Sequence, residues 1–138
     1  MRESLLKGQA TAQSPVRKGG EPVRKRILLA DDQPSVREAI SLLLSLDEHE
    51  VVEAADGVEA LDLFRRGHFD LVITDFDMPN MKGNELAASI KRVSPSQPIL
   101  MITAYATQLG ESDNPVDAIL SKPFQLRDLR QAMARLLS

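Results

Sequence analysis

Aspartates that follow two apolar runs are the residues of this chain with the clearest chemical potential. The segment "RILLAD" leads to Asp31 and Asp32, and "FDLVITD" ends at Asp75, with Asp77 two residues further on. Taken alone, each aspartate is as typical of a turn or of a helix N-cap as it is of a functional site. Their chemical meaning therefore depends on whether the fold brings the ends of these two runs together.

Two more polar groups follow apolar runs nearer the C-terminus. Thr103 ends the run in "PILMITA", and "DAILS" is followed by Lys122. Carboxylates, a divalent cation, an ammonium group and a hydroxyl together suit a phosphoryl group, because the cations neutralise its oxygens and the hydroxyl hydrogen-bonds one of them. An aspartate can also accept a phosphoryl group itself.

From residue 26 onwards, short apolar runs alternate with segments of helical periodicity. The predicted strands are RILLAD, EVVEA, FDLVITD, PILMITA and DAILS, and the predicted helices lie in QPSVREAISLLLSLDE, DGVEALDLFRRG, GNELAASIKRV and LRDLRQAMARLL. Pro34 suits a first helical position, while Asp56 and Gly67 suit a helix start and stop. Helical spacing predicts inner faces that carry Val36, Ala39, Ile40, Leu43, Leu44, Leu86, Ile90, Val93, Leu126, Leu129, Met133 and Leu136.

This alternation predicts an α/β fold, a doubly wound five-stranded parallel sheet with helices on both faces. The carboxyl ends of parallel strands meet at one edge, so we expect Asp31, Asp32, Asp75, Asp77, Thr103 and Lys122 to converge there. Several adjacent carboxylates repel one another unless a cation lies between them. Oxygen ligands without His or Cys favour a hard ion such as Mg²⁺.

Composition predicts one soluble, cytoplasmic domain preceded by a basic segment. The 138 residues include no cysteine, which excludes disulfides, thiolate metal ligands and a cysteine nucleophile. Residues 1–26 have a net charge of +5 and the remainder −8. We therefore expect residues 1–25 to be a flexible leader and the acidic body not to bind DNA. No apolar run approaches the roughly 20 residues that would span a membrane.

Four segments, "LLADD", "DLVITDFDMPNMKG", "ITAYA" and "LSKPF", resemble in this order the receiver domain of bacterial two-component response regulators. The resemblance covers residues 26–138 and implies the flavodoxin-like strand order 2-1-3-4-5. It implies that Asp75 accepts the phosphoryl group. It also implies Mg²⁺ bound directly by Asp32, Asp75 and the main-chain carbonyl of Asp77, with Asp31 acting through water.

The same resemblance assigns roles to the remaining motif residues. Thr103 and Lys122 would hold phosphoryl oxygens, and Gly83 would let the loop after Asp75 enter the next helix. Met78 and Pro79 would shape that loop. The Lys122–Pro123 peptide bond is expected to be cis, because the Lys must reach back to the site and cis bonds are nearly confined to X-Pro.

Two features depart from the family pattern. Ile119 stands on the last strand where receivers usually have an aromatic residue, so the usual coupling of an aromatic rotamer to phosphorylation is expected to be absent or altered. The stretch 104–116 is a few residues short and contains Gly110 and Pro115. A regular helix tolerates these residues poorly, which predicts a short or broken fourth helix.

The resulting hypothesis is a stand-alone receiver, not a classical enzyme, that catalyses its own phosphorylation and slow dephosphorylation. Its phosphodonor would be a histidine kinase or histidine phosphotransferase. No DNA-binding domain follows the last helix, so output would be contact with an unknown downstream protein or onward phosphotransfer.

The alternative hypothesis is a small phosphohydrolase, because "ITDFDMP" also resembles the opening motif of the haloacid-dehalogenase-like enzymes. Asp75 would then be the nucleophile and Asp77 the general acid/base. Such an enzyme would turn over a phosphomonoester many times, whereas a receiver would be phosphorylated once.

Overall fold

The computed structural model describes residues 24–105 and 115–137. Most of the predicted leader, residues 1–23, lies outside these ranges. So does 106–114, where a short or broken helix is predicted. The described residues form β1 (Arg26–Ala30), α1 (Pro34–Leu46), β2 (Glu50–Ala54), α2 (Gly57–Arg66), β3 (Leu71–Asp75), α3 (Gly83–Val93), β4 (Ile99–Thr103), β5 (Ala118–Ser121) and α4 (Leu126–Leu137).

The strands form one parallel sheet in the order β2-β1-β3-β4-β5, which confirms the predicted topology. Asp75 at the end of β3 is in register with Ile102, and Thr103 at the end of β4 is in register with Ser121. The carboxyl ends of β1, β3, β4 and β5 therefore lie along one edge of the sheet.

The central strands are buried on both faces, as their continuous apolar runs predict. Leu28 and Val72 belong to the cluster under α2 and α3, whereas Ile27 and Leu71 belong to the cluster under α1 and α4. Neighbouring residues on a strand thus pack into opposite halves of the core, and the sheet lies between two layers of helices.

Two of the predicted inner-face residues are exposed. Val93 is 58% exposed, because it is the last residue of α3. Ala39 is also exposed, since it lies about 100° round α1 from the buried Ile40. The helical spacing identified the correct buried faces but wrongly included these two residues at their margins.

The predicted helix limits are confirmed in α1 and α2. Pro34 is the first residue of α1, and Gly67 follows the last residue of α2. Asp56 is the N-cap of α2, where its Oδ1 accepts a hydrogen bond from the Glu59 backbone N–H at 2.8 Å. The Lys122–Pro123 bond is cis, as expected. Within the described ranges, no helix is long and apolar enough to cross a membrane.

Candidate functional site

Three carboxylates meet where β1 and β3 end side by side. Asp31, Asp32 and Asp75 each offer one oxygen, and these three oxygens lie within 4.8 Å of one another. The parallel pairing of β1 with β3 brings the three carboxylates together, because both strands end at the same edge of the sheet. Like charges at this separation repel, so the cluster is suited to a cation.

Asp31 is the most buried of the three aspartates and is only 1% exposed. Its Oδ1 accepts a hydrogen bond from the Gln33 backbone N–H at 3.0 Å, and its Oδ2 lies 3.6 Å from Lys122 Nζ. Its main-chain carbonyl accepts a hydrogen bond from Arg37 Nη1 at 2.8 Å, while Arg37 Nε donates to Glu53 at 2.9 Å. Sequence reasoning missed Arg37, although a basic residue in the first helical turn after two aspartates is a usable signal.

Asp75 lies between acidic and basic neighbours. Its Oδ1 accepts a hydrogen bond from Lys122 Nζ at 3.3 Å, and its side chain is 11% exposed. Burial raises the pKa of Asp75 above its ordinary value, nearby Lys122 lowers it, and the Asp31 charge raises it further. Burial and the Asp31 charge therefore disfavour the charged form of Asp75 by more than Lys122 favours it.

Thr103 and Lys122 border the cluster from the next two strands. The Lys122 backbone N–H donates to the Thr103 carbonyl at 2.9 Å, which extends the β4–β5 pairing by one residue. Thr103 is 1% exposed, and its Oγ1 accepts a hydrogen bond from the Tyr105 backbone N–H at 3.0 Å. Among residues 24–105 and 115–137, no group accepts the hydroxyl proton of Thr103, so this proton is available for a ligand.

The carboxylate of Asp77 is not part of the three-carboxylate cluster. Contrary to the convergence expected from the sequence, its Oδ1 pairs with Lys82 Nζ at 2.8 Å. The family resemblance implies only its main-chain carbonyl as a metal ligand. Gly83 explains how the loop after β3 turns: a Cβ at Gly83 would collide with the carbonyl oxygen of Asp75 and lie 3.0 Å from the Phe76 Cα. Only glycine permits this close approach of two backbone segments.

The donor set fits Mg²⁺. It consists of three carboxylates without His or Cys, and hard cations such as Mg²⁺ prefer oxygen ligands of this kind. One or two protein carboxylates plus water and a phosphoryl oxygen are sufficient for Mg²⁺, which agrees with a cluster at the edge of the fold. The carboxylates of Asp31, Asp32 and Asp75 could hold the ion, and the family resemblance implies Asp32, Asp75 and the Asp77 carbonyl as direct ligands.

The sequence model of the response regulator receiver domain family matches residues 27–134. The chain therefore belongs to this family, and its doubly wound fold and acidic strand ends agree with that membership. Receiver domains act in two-component signalling, typically bind Mg²⁺ and interact with histidine kinases.

Curated relatives match this chain over half or nearly all of their own length. The chain is 37% identical over 115 residues to response regulator MprA of Mycobacterium sp. (strain KMS), which covers 81% of this chain and 50% of that protein. It is 37% identical over 116 residues to response regulator receiver protein CpdR of Brucella abortus (strain 2308), covering 82% of this chain and 97% of CpdR. The chain thus spans about half the length of MprA but nearly all of CpdR.

Solved structures give the same fold. Response regulator protein TrrA from Thermotoga maritima, in complex with Mg²⁺–BeF, superposes with a TM-score of 0.78 at 34% identity, covering 82% of this chain and 99% of TrrA. TrrA in complex with histidine kinase ThkA superposes with a TM-score of 0.76 at 36% identity, covering 83% and 99%. The comparisons do not support the phosphohydrolase alternative, since the matched family and fold are those of receivers.

Proposed function

We propose that Asp75 accepts a phosphoryl group from a phosphohistidine of a partner protein, with Mg²⁺ held by Asp32, Asp75 and the Asp77 carbonyl. The observation that carries this proposal is the position of the Asp75 carboxylate. It lies between the acidic cluster on one side and the Lys122 ammonium, 3.3 Å from its Oδ1, on the other. Asp31 would act on the ion through water.

The transfer is an exchange of one bond to phosphorus for another. A carboxylate oxygen of Asp75 forms the new P–O bond while the P–N bond to the histidine breaks, and the electron pair remains on the imidazole nitrogen. The Lys122 ammonium and the Thr103 hydroxyl bind the other phosphoryl oxygens during the transfer. Bound Mg²⁺ supplies the additional positive charge that the three carboxylates require.

The direct test uses acetyl phosphate, an acyl phosphate small enough to need no protein docking. With Mg²⁺, intact-mass analysis of the wild-type protein is expected to show the addition of one phosphoryl group, and excess EDTA should prevent it. The absence of an adduct with Mg²⁺ would contradict the proposal. Repeated turnover of p-nitrophenyl phosphate without a persistent adduct would instead favour a phosphatase.

The surface beside the site is suited to the helix that would carry the phosphohistidine. A groove of about 550 Å³ lies between α1 and the loop from β5 to α4, and its lining includes Lys122 and the apolar residues Val36, Leu43, Pro123 and Phe124. An amphipathic helix commonly binds such a groove through its apolar face. TrrA forms a complex with the histidine kinase ThkA, which supports a kinase as the binding partner.

Ala39→Asp should weaken this docking without disturbing the site. Ala39 lines the groove and is exposed, so a carboxylate there stays hydrated in the free protein but is buried against an apolar helix in the complex. We expect transfer from a phosphorylated histidine kinase to slow by about tenfold or more, the effect of roughly 1.4 kcal/mol, while acetyl phosphate labelling is unchanged.

Ser45→Asp is the matched control for this experiment. Ser45 is also exposed on α1, receives the same added charge and does not line the groove. It should behave like wild type with both phosphodonors. Equal transfer rates for Ala39→Asp and Ser45→Asp would contradict docking in this groove.

A further inference from the structure

The loop between β3 and α3, residues 76–82, rests on the beginning of α2 at two points. Asn80 Nδ2 donates a hydrogen bond to Asp56 Oδ2 at 3.1 Å. One residue along, a Cβ on Gly57 would lie 2.6 Å from the Met81 carbonyl oxygen, so the first residue of α2 packs directly on the loop backbone. Asp56 and Asn80 are 24 residues apart in sequence and are joined only by the fold.

Asp56 is a rigid support for this contact. One of its oxygens accepts a hydrogen bond from the Glu59 backbone N–H at 2.8 Å, and Glu59 in turn accepts one from the Ala55 backbone N–H at 2.7 Å. These two bonds tie the first turn of α2 to the residues that lead into it. The second oxygen of Asp56 is thus presented to the loop in a defined position.

Asn80 has a backbone that needs such support. Its φ is 72°, in the left-handed region that non-glycine residues adopt at an energetic cost, although Asn tolerates it better than most. The hydrogen bond to Asp56 stabilises this conformation. Asn80 therefore transmits the position of α2 to the loop backbone.

The loop carries the Asp77 carbonyl, three residues before Asn80, and its far end is fixed where Gly83 packs on Asp75. We propose that Asp56 and Asn80 are positioning residues that hold the loop so that the Asp77 carbonyl stays within reach of the ion bound by Asp32 and Asp75. This inference rests on the metal site of the proposed function. The hydrogen bond between Asn80 and Asp56 does not involve a phosphoryl group, so it supports the loop in the unphosphorylated protein.

Two substitutions break the bond while keeping the local backbone. Asp56→Ser retains an N-cap oxygen for α2 but is too short to reach Asn80. Asn80→Gly keeps the left-handed backbone and removes the amide. Each should raise the dissociation constant for Mg²⁺ by about tenfold, as loss of outer-shell support typically does. The double variant should lose no more affinity than either single one, because both remove the same bond.

The readouts are a calorimetric Mg²⁺ titration and the thermal unfolding midpoint with and without Mg²⁺. The control is Asp62→Ser, since Asp62 is exposed on the same helix and pairs with Arg66 one turn away. We expect the Mg²⁺-induced rise in the midpoint to shrink in both variants and to be unchanged in this control. Wild-type Mg²⁺ affinity in both variants, or additive losses in the double variant, would contradict the positioning role of Asp56 and Asn80. Either result would leave the proposed metal site intact. No Mg²⁺ binding by the wild-type protein would overturn the proposed metal site as well.

Discussion

Asp75→Asn should gain no phosphoryl group from acetyl phosphate under conditions in which the wild-type protein gains one. An amide has no charged oxygen and is a far weaker nucleophile than a carboxylate. Asn has the shape of Asp and its amide oxygen can still accept the hydrogen bond from Lys122, so the fold should be preserved. Intact-mass analysis after incubation with Mg²⁺ and acetyl phosphate measures the difference.

Asp70→Asn provides a control with the same chemical change next to the same strand. Asp70 precedes β3 at the opposite edge of the sheet, where its Oδ2 accepts a hydrogen bond from the Arg26 backbone N–H at 2.8 Å. This variant should be labelled like wild type. A persistent single adduct on Asp75→Asn, mapped to another residue, would move the phosphoacceptor elsewhere.

The convergence of Asp31, Asp32 and Asp75 could be anticipated from the sequence for a simple reason. Apolar runs that alternate with amphipathic helices have few folding solutions, and in a parallel sheet every strand ends at the same edge. Residues that directly follow the runs are then placed by topology alone. The same reasoning located Thr103 and Lys122, although the order of the strands came from the family resemblance.

Contacts between side chains and loops could not be anticipated in this way. Asp47 caps α1 and is 4% exposed, and both of its oxygens accept hydrogen bonds from Arg130 of α4 at 2.7 and 2.8 Å. The link between Asp56 and Asn80 likewise joins a helix start to a loop. Such pairs have no periodicity, because they depend on rotamers and on loop conformations that strand and helix patterns do not determine.

The repulsion within the acidic cluster also has a consequence for stability. In the part of the chain that the structure describes, three carboxylate oxygens within 4.8 Å are opposed by one nearby ammonium, that of Lys122. Without a bound cation this arrangement costs the folded protein free energy, since like charges disfavour one another at close range. Stability and Mg²⁺ affinity should therefore respond in opposite directions when one carboxylate is removed.

Asp32→Asn is expected to show this opposition. Loss of a direct ligand should weaken Mg²⁺ binding by more than the roughly 10–100-fold that loss of an outer-shell partner costs. The thermal unfolding midpoint without Mg²⁺ should stay the same or rise, because one repelling charge is gone. Asp31→Asn should lose less affinity than Asp32→Asn, since Asp31 is proposed to act on the ion through water.

Calorimetric titration with Mg²⁺ and thermal unfolding in EDTA measure these two quantities. Asp62→Asn is the matched control, because it makes the same change at an exposed carboxylate on α2, outside the cluster. Its Mg²⁺ affinity should equal that of wild type. If Asp32→Asn bound Mg²⁺ as tightly as this control, Asp32 would not be a ligand. If it instead lost stability in EDTA, the carboxylate would be supporting the fold, and repulsion in the cluster would be too weak to matter.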